Sequence, residues 1–326
     1  MTDTGPHPRL RIVFIAGSSR SGSTLLLRLL GQVPGVHPAG EMFDIWARGY
    51  LQNQLCGCGA PFRDCAFWRE VTARAFGCEP RGVPAEQYEA LRGSLVVRGQ
   101  IARLFIPALR SGPYRERLHR YAALFRRLYL AISEVSGATI LVDSSKQPRH
   151  GWLLRELGGF DIHAVHLVRD SRAVAFSWRR VRKRPEIHWR AQSMELRSPL
   201  WSALDWDAVN VLVAGRRSSL ASYSLVRYED LVDRPGAVIG RLGRALGEIW
   251  SGPPLDALGR VRMGADHTAS GNPARFATGA VSLREDDEWR WAMSRPQGRL
   301  VSALTAPLLH RYGYRLRPAP TTHQER

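Results

Sequence analysis

Residues 12–30 restrict this chain to few folds. An apolar run, Ile12-Val13-Phe14-Ile15-Ala16, leads into Gly17-Ser18-Ser19-Arg20-Ser21-Gly22-Ser23-Thr24 and then into a leucine-rich stretch, Leu25 to Leu30. That order is strand, glycine loop, helix. Such a loop aims backbone N–H groups and the positive end of the next helix at an anion. The two glycines are spaced as in a nucleotide-binding P-loop, but Ser23 stands where that loop carries its lysine. The missing lysine is the group that reaches the β- and γ-phosphates of ATP. The loop's own cation comes earlier, at Arg20. Ser21, Gly22, Ser23 and Thr24 are candidate phosphate contacts. Helix capping is the ordinary reading of Ser23 and Thr24, and the two roles are compatible. The arrangement points away from ATP hydrolysis and towards a different anionic nucleotide.

The rest of the chain repeats the alternation. Pro34 and Pro38 interrupt the pattern after the first helix. Short helices are expected near Trp68–Phe76 and Ala85–Arg98. Residues 115–135 have the clearest helical period, with Leu118, Tyr121, Ala122, Phe125, Leu128, Tyr129 and Ile132 on one face. Strands are expected at Ala138–Val142, Ile162–Val168 and Tyr223–Arg227. Helices are expected from Ser171, over Trp201–Arg217 and from Tyr228 to Gly247, with a polar loop at 183–199. Strands that are apolar throughout and alternate with helices imply a parallel sheet covered on both faces. The fold class is therefore α/β. One domain spans 1–326, with a mainly helical insertion at about 42–136, and the last residues, from about Pro318, read as a frayed tail. Ligands of such sheets sit at the C-terminal ends of strands. Arg20, Lys146 and Arg169 all fall there, which makes an anion pocket.

Charge and cysteine content bear on partners. The chain has 326 residues and a formal net charge of +18, yet only Lys146 and Lys183 are lysines. An arginine-biased genome accounts for the excess most simply. Nucleic acid or an anionic membrane surface is the alternative use of such charge. The arginines are scattered, with short basic runs only at 179–184 and 216–217, so no nucleic-acid partner is expected. No apolar run reaches the length of a membrane span, and Met1–Arg9 lacks the apolar core of a signal peptide. The default reading is a soluble cytoplasmic protein. Cys56, Cys58, Cys65 and Cys78 admit two readings: zinc ligands, or reduced thiols of a cytosolic protein. The usual C-x-x-C knuckle is absent and no histidine lies nearby in sequence, so no metal ligand is assigned.

The heptad Arg20-Ser21-Gly22-Ser23-Thr24-Leu25-Leu26 resembles the 5′-phosphosulfate loop of sulfotransferases that use 3′-phosphoadenosine 5′-phosphosulfate (PAPS). The arginine at its head is similar to that of the carbohydrate and tyrosylprotein enzymes. Further segments resemble the family in the same order: Gly40-Glu41, Asp143-Ser144-Ser145-Lys146, Arg169 with Ser177, Arg227-Tyr228-Glu229-Asp230-Leu231, and His267 to Phe276. Cys56 to Trp68 resembles a cysteine-rich stretch of bacterial sulfotransferase-like sequences. The resemblance spans about residues 11–291. It implies a P-loop-like sulfotransferase fold and in-line transfer of a sulfuryl group to a hydroxyl of a small-molecule, carbohydrate or lipid acceptor. The product would be 3′,5′-bisphosphoadenosine, and no metal would be required.

The resemblance also implies roles. Arg20 would meet the phosphosulfate, Lys146 the leaving group, Arg169 and Ser177 the 3′-phosphate, and Arg275 the nucleotide as its segment closes. Arg180 or Arg182 would assist, because Val181 replaces the arginine found there in tyrosylprotein sulfotransferases. Glu41 is the candidate base; His37, His150, His163 and His166 are its rivals. On the residues alone, each cation also reads as a solvated or salt-bridged side chain. A small-molecule kinase remains the alternative enzyme. Acceptor and oligomeric state, a homodimer included, stay open.

Overall fold

The computed structural model describes residues 10–96, 102–103, 106–156, 158–215 and 222–316. Met1–Arg9, the end of the Ala85–Arg98 helix, the pair Arg216-Arg217 and the tail from Pro318 lie outside the described residues.

The chain runs β1 (Arg11–Ala16), α1 (Ser23–Leu30), β2 (Val36–Gly40), α2 (Ala66–Phe76), α3 (Ala85–Val96), α4 (Gly112–Ser136), β3 (Ile140–Lys146), α5 (Pro148–Arg155), β4 (Asp161–Val168), α6 (Ser171–Arg179) and α7 (Pro199–Ala214). Then come β5 (Ser222–Arg227), α8 (Tyr228–Asp233), α9 (Pro235–Ala245), β6 (Arg260–Met263), β7 (Gly279–Ser282), α10 (Trp289–Ala292) and α11 (Arg295–Arg311). Five strands form one sheet in the order β2-β3-β1-β4-β5, and every pairing in it is parallel. β6 and β7 pair separately and antiparallel.

Side chains on successive residues of a strand face opposite ways, and the two cores sort by that rule. Ile12, Phe14 and Leu141 enter one core with α4 and α5. Val13, Ile15, Ile140 and Val142 enter the other with α1 and α9. Both faces are therefore buried, as a parallel sheet requires. α4 buries Leu118, Tyr121, Phe125, Leu128, Tyr129 and Ile132, and each large apolar side chain so buried contributes about 1.5–3 kcal/mol. Gly137 ends it in the left-handed region, at φ 69°. Trp46, Phe62 and Trp68, from the segment between α1 and α4, share the same core.

Two elements differ from the expectation. Val36–Gly40, broken on paper by Pro38, is a strand. It lies at the sheet edge and pairs only with β3, where a residue without an N–H is tolerated. The third strand also runs on past Val142 to Lys146, because Asp143, Ser144 and Ser145 are buried. β1 leads to α1 on one face of the sheet, while β4 leads to α6 and α7 on the other. The crevice lies beyond the C-terminal ends of β1, β3 and β4, where such a divergence of connections places ligands.

Candidate active site

The crevice encloses about 290 Å³. Five basic side chains line it (Arg20, Arg48, Lys146, Arg169 and Arg182) against two acidic ones, Glu41 and Asp286. Gly22, Ser23, Thr24 and Ser177 complete the wall facing the loop. The fold thus gathers Arg20, Gly22, Ser23, Thr24, Glu41, Lys146, Arg169 and Ser177 into one cavity, although they span almost half the chain.

The loop is built by its glycines. Gly22 has φ +90°, and a Cβ there would sit 2.4 Å from the Tyr228 ring. Gly17 has φ +144°, and its Cβ would meet the Leu167 carbonyl oxygen at 2.3 Å. No side chain caps the start of α1, so the first N–H groups of the helix keep their donors for a ligand. Ser21 is 1% exposed and its hydroxyl has no partner.

Arg20 and Lys146 take backbone conformations that L-residues rarely adopt, with φ 70° and 66°. Each costs of order 1 kcal/mol or more, and each faces the cavity. Arg20 lies over the Trp178 ring at 4.6 Å. One of its Nη atoms donates only to the Met194 sulfur at 3.2 Å, and the other is buried without a partner. Burial and the charges of Arg182 and Arg197 lower its pKa to about 10, so it stays cationic at neutral pH.

Lys146 donates to Glu41 Oε1 and, at 3.2 Å, to the Ser144 carbonyl. Arg48 approaches the other carboxylate oxygen at 3.6 Å from a wide π-type turn, Ile45–Leu51. Burial pushes the Glu41 carboxyl up, but Lys146 and Arg48 outweigh it and hold the pKa below the ordinary glutamate value. Glu41 is fixed by its backbone as well. Its N–H donates to the Ser270 carbonyl at 3.1 Å, and its own carbonyl accepts from the Ser270 hydroxyl at 3.1 Å.

Arg169 donates to the carbonyls of Arg20 (3.2 Å) and Asp286 (3.0 Å) and stacks on Tyr228 at 4.5 Å. Its acidic partner is Asp286, at 3.3 Å, and not Asp170, which pairs with Arg172. Arg180 is held by Asp286 and Glu288, while Arg182 lies on the wall. Arg275 is 1% exposed and lies behind the wall, donating to the carbonyls of Leu55 (2.6 Å) and Thr268 (3.3 Å).

The rival bases are elsewhere. His150 is buried against Asp143 at 2.8 Å, with Tyr129 on the same carboxylate oxygen at 2.6 Å. His166 bonds to Tyr223 and Asn210 inside the fold. His163 pairs with Ser222 across neighbouring strands. His37 stacks on Phe67 at 4.8 Å, and burial together with His267 lowers its pKa to about 4. No histidine lines the cavity among the described residues.

Residues 13–67 match a family model described as the sulfotransferase family. That stretch holds the glycine loop, α1, β2 and Glu41. The fold is similar to the sulfotransferase domain from the Synechococcus PCC 7002 olefin synthase, with TM-score 0.54, 19% identity, and coverage of 97% of this chain and 98% of that one. A likeness to the sulfotransferase domain from the curacin biosynthetic pathway has TM-score 0.48 and 17% identity over 94% of this chain and 98% of that one. No curated protein matches the sequence. The family match and the shared architecture support a sulfotransferase family. They indicate a transferase enzyme, with the P-loop-like fold of sulfotransferase domains.

Several parts of this cavity carried no sequence signal. Arg48 and Met194 sit in segments without a motif. Asp286 reads as one acid in a charged run, Glu285 to Glu288. Trp178 follows Ser177 directly, but its place over Arg20 depends on how α6 packs.

Proposed function

We propose that the chain transfers a sulfuryl group from PAPS to a hydroxyl of a small-molecule, carbohydrate or lipid acceptor. The observation that carries this reading is the imbalance in the cavity: five cations against two anions, beside a glycine loop that lacks the kinase lysine. A multiply charged anion offsets that excess. The donor supplies an activated sulfur–oxygen bond. The acceptor oxygen attacks sulfur, the bond from sulfur to the 5′-phosphate oxygen breaks, and the electron pair stays on the departing phosphate. The proton of the acceptor hydroxyl passes to the Glu41 carboxylate.

In this reading Arg20 and the N–H groups at the start of α1 hold the 5′-phosphosulfate, and Lys146 stabilises the leaving oxygen. Arg169, Ser177 and Arg182 hold the 3′-phosphate. Most of the rate comes from positioning and from preformed charge, so the groups that matter are those already fixed. Glu41 and Lys146 satisfy each other when no donor is present. A donor that shares Lys146 leaves the Glu41 carboxylate free to accept a proton. Arg275 supports the site from behind, by holding Leu55 and Thr268. The whole described chain forms one sulfotransferase domain, and its helical insertion borders the acceptor side. Among the described residues no helix is long and apolar enough to cross a membrane; in the reading proposed here the enzyme is cytoplasmic.

The test is donor choice. With a panel of alcohols, PAPS should be consumed to 3′,5′-bisphosphoadenosine with label transferred to acceptor, without added Mg²⁺. Phosphorylation of the same panel from ATP would overturn the reading in favour of a kinase.

A further inference from the structure

Cys56, Cys58, Cys65 and His267 bring one ligand atom each to a common point, and these atoms all lie within 4.8 Å of one another. We propose that they bind a structural zinc ion that ties the insertion to the segment carrying His267. The spacings fit a tetrahedral ion. Zinc–thiolate bonds of about 2.3 Å put two sulfurs of a tetrahedron about 3.8 Å apart. Cys58 Sγ and Cys65 Sγ are 3.7 Å apart, and His267 Nδ1 is 3.4 Å from Cys65 Sγ and 3.8 Å from Cys56 Sγ. Four ligands close the coordination sphere, as in structural rather than catalytic zinc sites. None of the four lines the crevice.

The scaffold around the four ligands is fixed independently of any ion. Leu55 and Pro61 bridge the arms of a short hairpin, and Gly59 turns it at φ +89°. Gly57 lies against the other segment so closely that a Cβ would sit 2.1 Å from Asp266 Oδ1 and 2.6 Å from Thr268 Oγ1. Asp266 accepts from the Thr268 N–H at 3.1 Å and hydroxyl at 2.7 Å, which holds the turn around His267. Trp68 Nε1 donates to the His267 carbonyl at 2.9 Å, and Phe67 stacks on the imidazole at 4.9 Å with 9° between planes. Cys56 and Cys65 are buried, at 0% and 1% exposure. Cys78, the fourth cysteine, is outside the group and lies beside Gly82.

The consequence for the fold is local. Ala269 and Ser270, two and three residues after His267, hydrogen-bond to Ala39 and Glu41. A metal bound by His267 and three cysteines would pin the strand of chain that holds the Glu41 backbone. Binding deprotonates the thiols and releases those protons to solvent. No electron transfer is involved.

The test uses the full chain, kept reduced and purified without chelators. It should contain about one zinc ion per chain by elemental analysis, the loading of a closed four-ligand site. After removal of the metal, Co²⁺ should restore an intense thiolate-to-cobalt absorption with the visible bands of a tetrahedral centre. Cys78→Ser should keep both signals. Cys58→Ser and His267→Ala, at half-buried positions, should weaken zinc retention against a colorimetric chelator by at least about tenfold, since even outer-shell losses cost about 10–100-fold. Chelation of the wild type should lower its melting temperature, and zinc should restore it. A folded, reduced wild type that takes up neither zinc nor Co²⁺ would overturn the proposal. So would equal metal loss in Cys78→Ser, or a disulfide among the four cysteines in freshly reduced protein.

Discussion

The two ends of α1 hold arginines in opposite states. Arg28, in the last turn, is buried and fully engaged: it meets Asp266 at 3.2 Å and donates to the carbonyls of Ala274, Ala277 and Gly264 at 3.2, 2.7 and 2.7 Å. Arg20, in the loop before the helix, has one Nη without any partner and the other on a thioether. A buried charge is tolerated when its hydrogen bonds are satisfied and is costly when they are not. The first arginine closes the fold by tying α1 to residues 264–277. The second leaves its donors and its charge to a ligand. In the proposed reading the same residue type serves stability at one end and binding at the other.

The largest effect expected is on the engaged end. Arg28→Ala should cost about 3–5 kcal/mol of stability, the scale for breaking one side of a buried pair, read by denaturant unfolding. A loss below about 1 kcal/mol would place Arg28 among exposed ion pairs instead. Arg20→Ala should behave in the opposite sense. Turnover should fall by roughly 10²–10³, as for loss of one preorganised charge-stabilising donor, while melting temperature holds or rises because an unsatisfied cation has been removed. Loss of stability with unchanged turnover would erase the contrast.

Glu41→Gln removes the proton acceptor at constant shape. Turnover should drop about a hundredfold, with affinity for 3′,5′-bisphosphoadenosine nearly unchanged. A fully active variant would move the role to another group. The wild-type pH profile sharpens this. Lys146 and Arg48 lower the Glu41 pKa in the free site, so the carboxylate persists as pH falls and the acid limb of kcat/KM, which reports the free enzyme, should lie below the ordinary glutamate value of 4.5. The same sign applies to stability. The Lys146 pair contributes above the unfolded pKa, and the contribution is lost as pH falls through the lower, folded one. An acid limb near neutrality would point to a histidine. The smallest effect is Ser177→Ala, which should weaken bisphosphate binding about tenfold, the scale of one hydrogen bond to a charged group.

The contrast between the two arginines also marks how much was legible beforehand. Both lie in α1 or the loop before it, and the strand, loop and helix were readable because glycine spacing and apolar runs are local signals. Lys146 and Arg169 were readable as candidates because each stands at the end of an apolar strand signal, whereas Glu41 and Ser177 entered only through the family resemblance. Arg28 gave no signal: its partners Asp266 and Gly264 to Ala277 are more than 200 residues away. His267 was invisible to the cysteine pattern for the same reason. β2 was masked by Pro38, whose cost vanishes only at a sheet edge. The left-handed backbone at Arg20 and Lys146 is set by the packed strand ends, and no residue type announces it.

The central claim is that the open end of α1 binds a nucleotide carrying both a 5′- and a 3′-phosphate. Calorimetric titration of the wild-type chain with 3′,5′-bisphosphoadenosine, AMP and ATP tests it most directly. The bisphosphate should bind much more tightly than either of the others, and Arg169→Ala should remove most of that preference, since an arginine–phosphate contact is charge-assisted and often bidentate. Equal affinity for AMP and the bisphosphate would contradict the account.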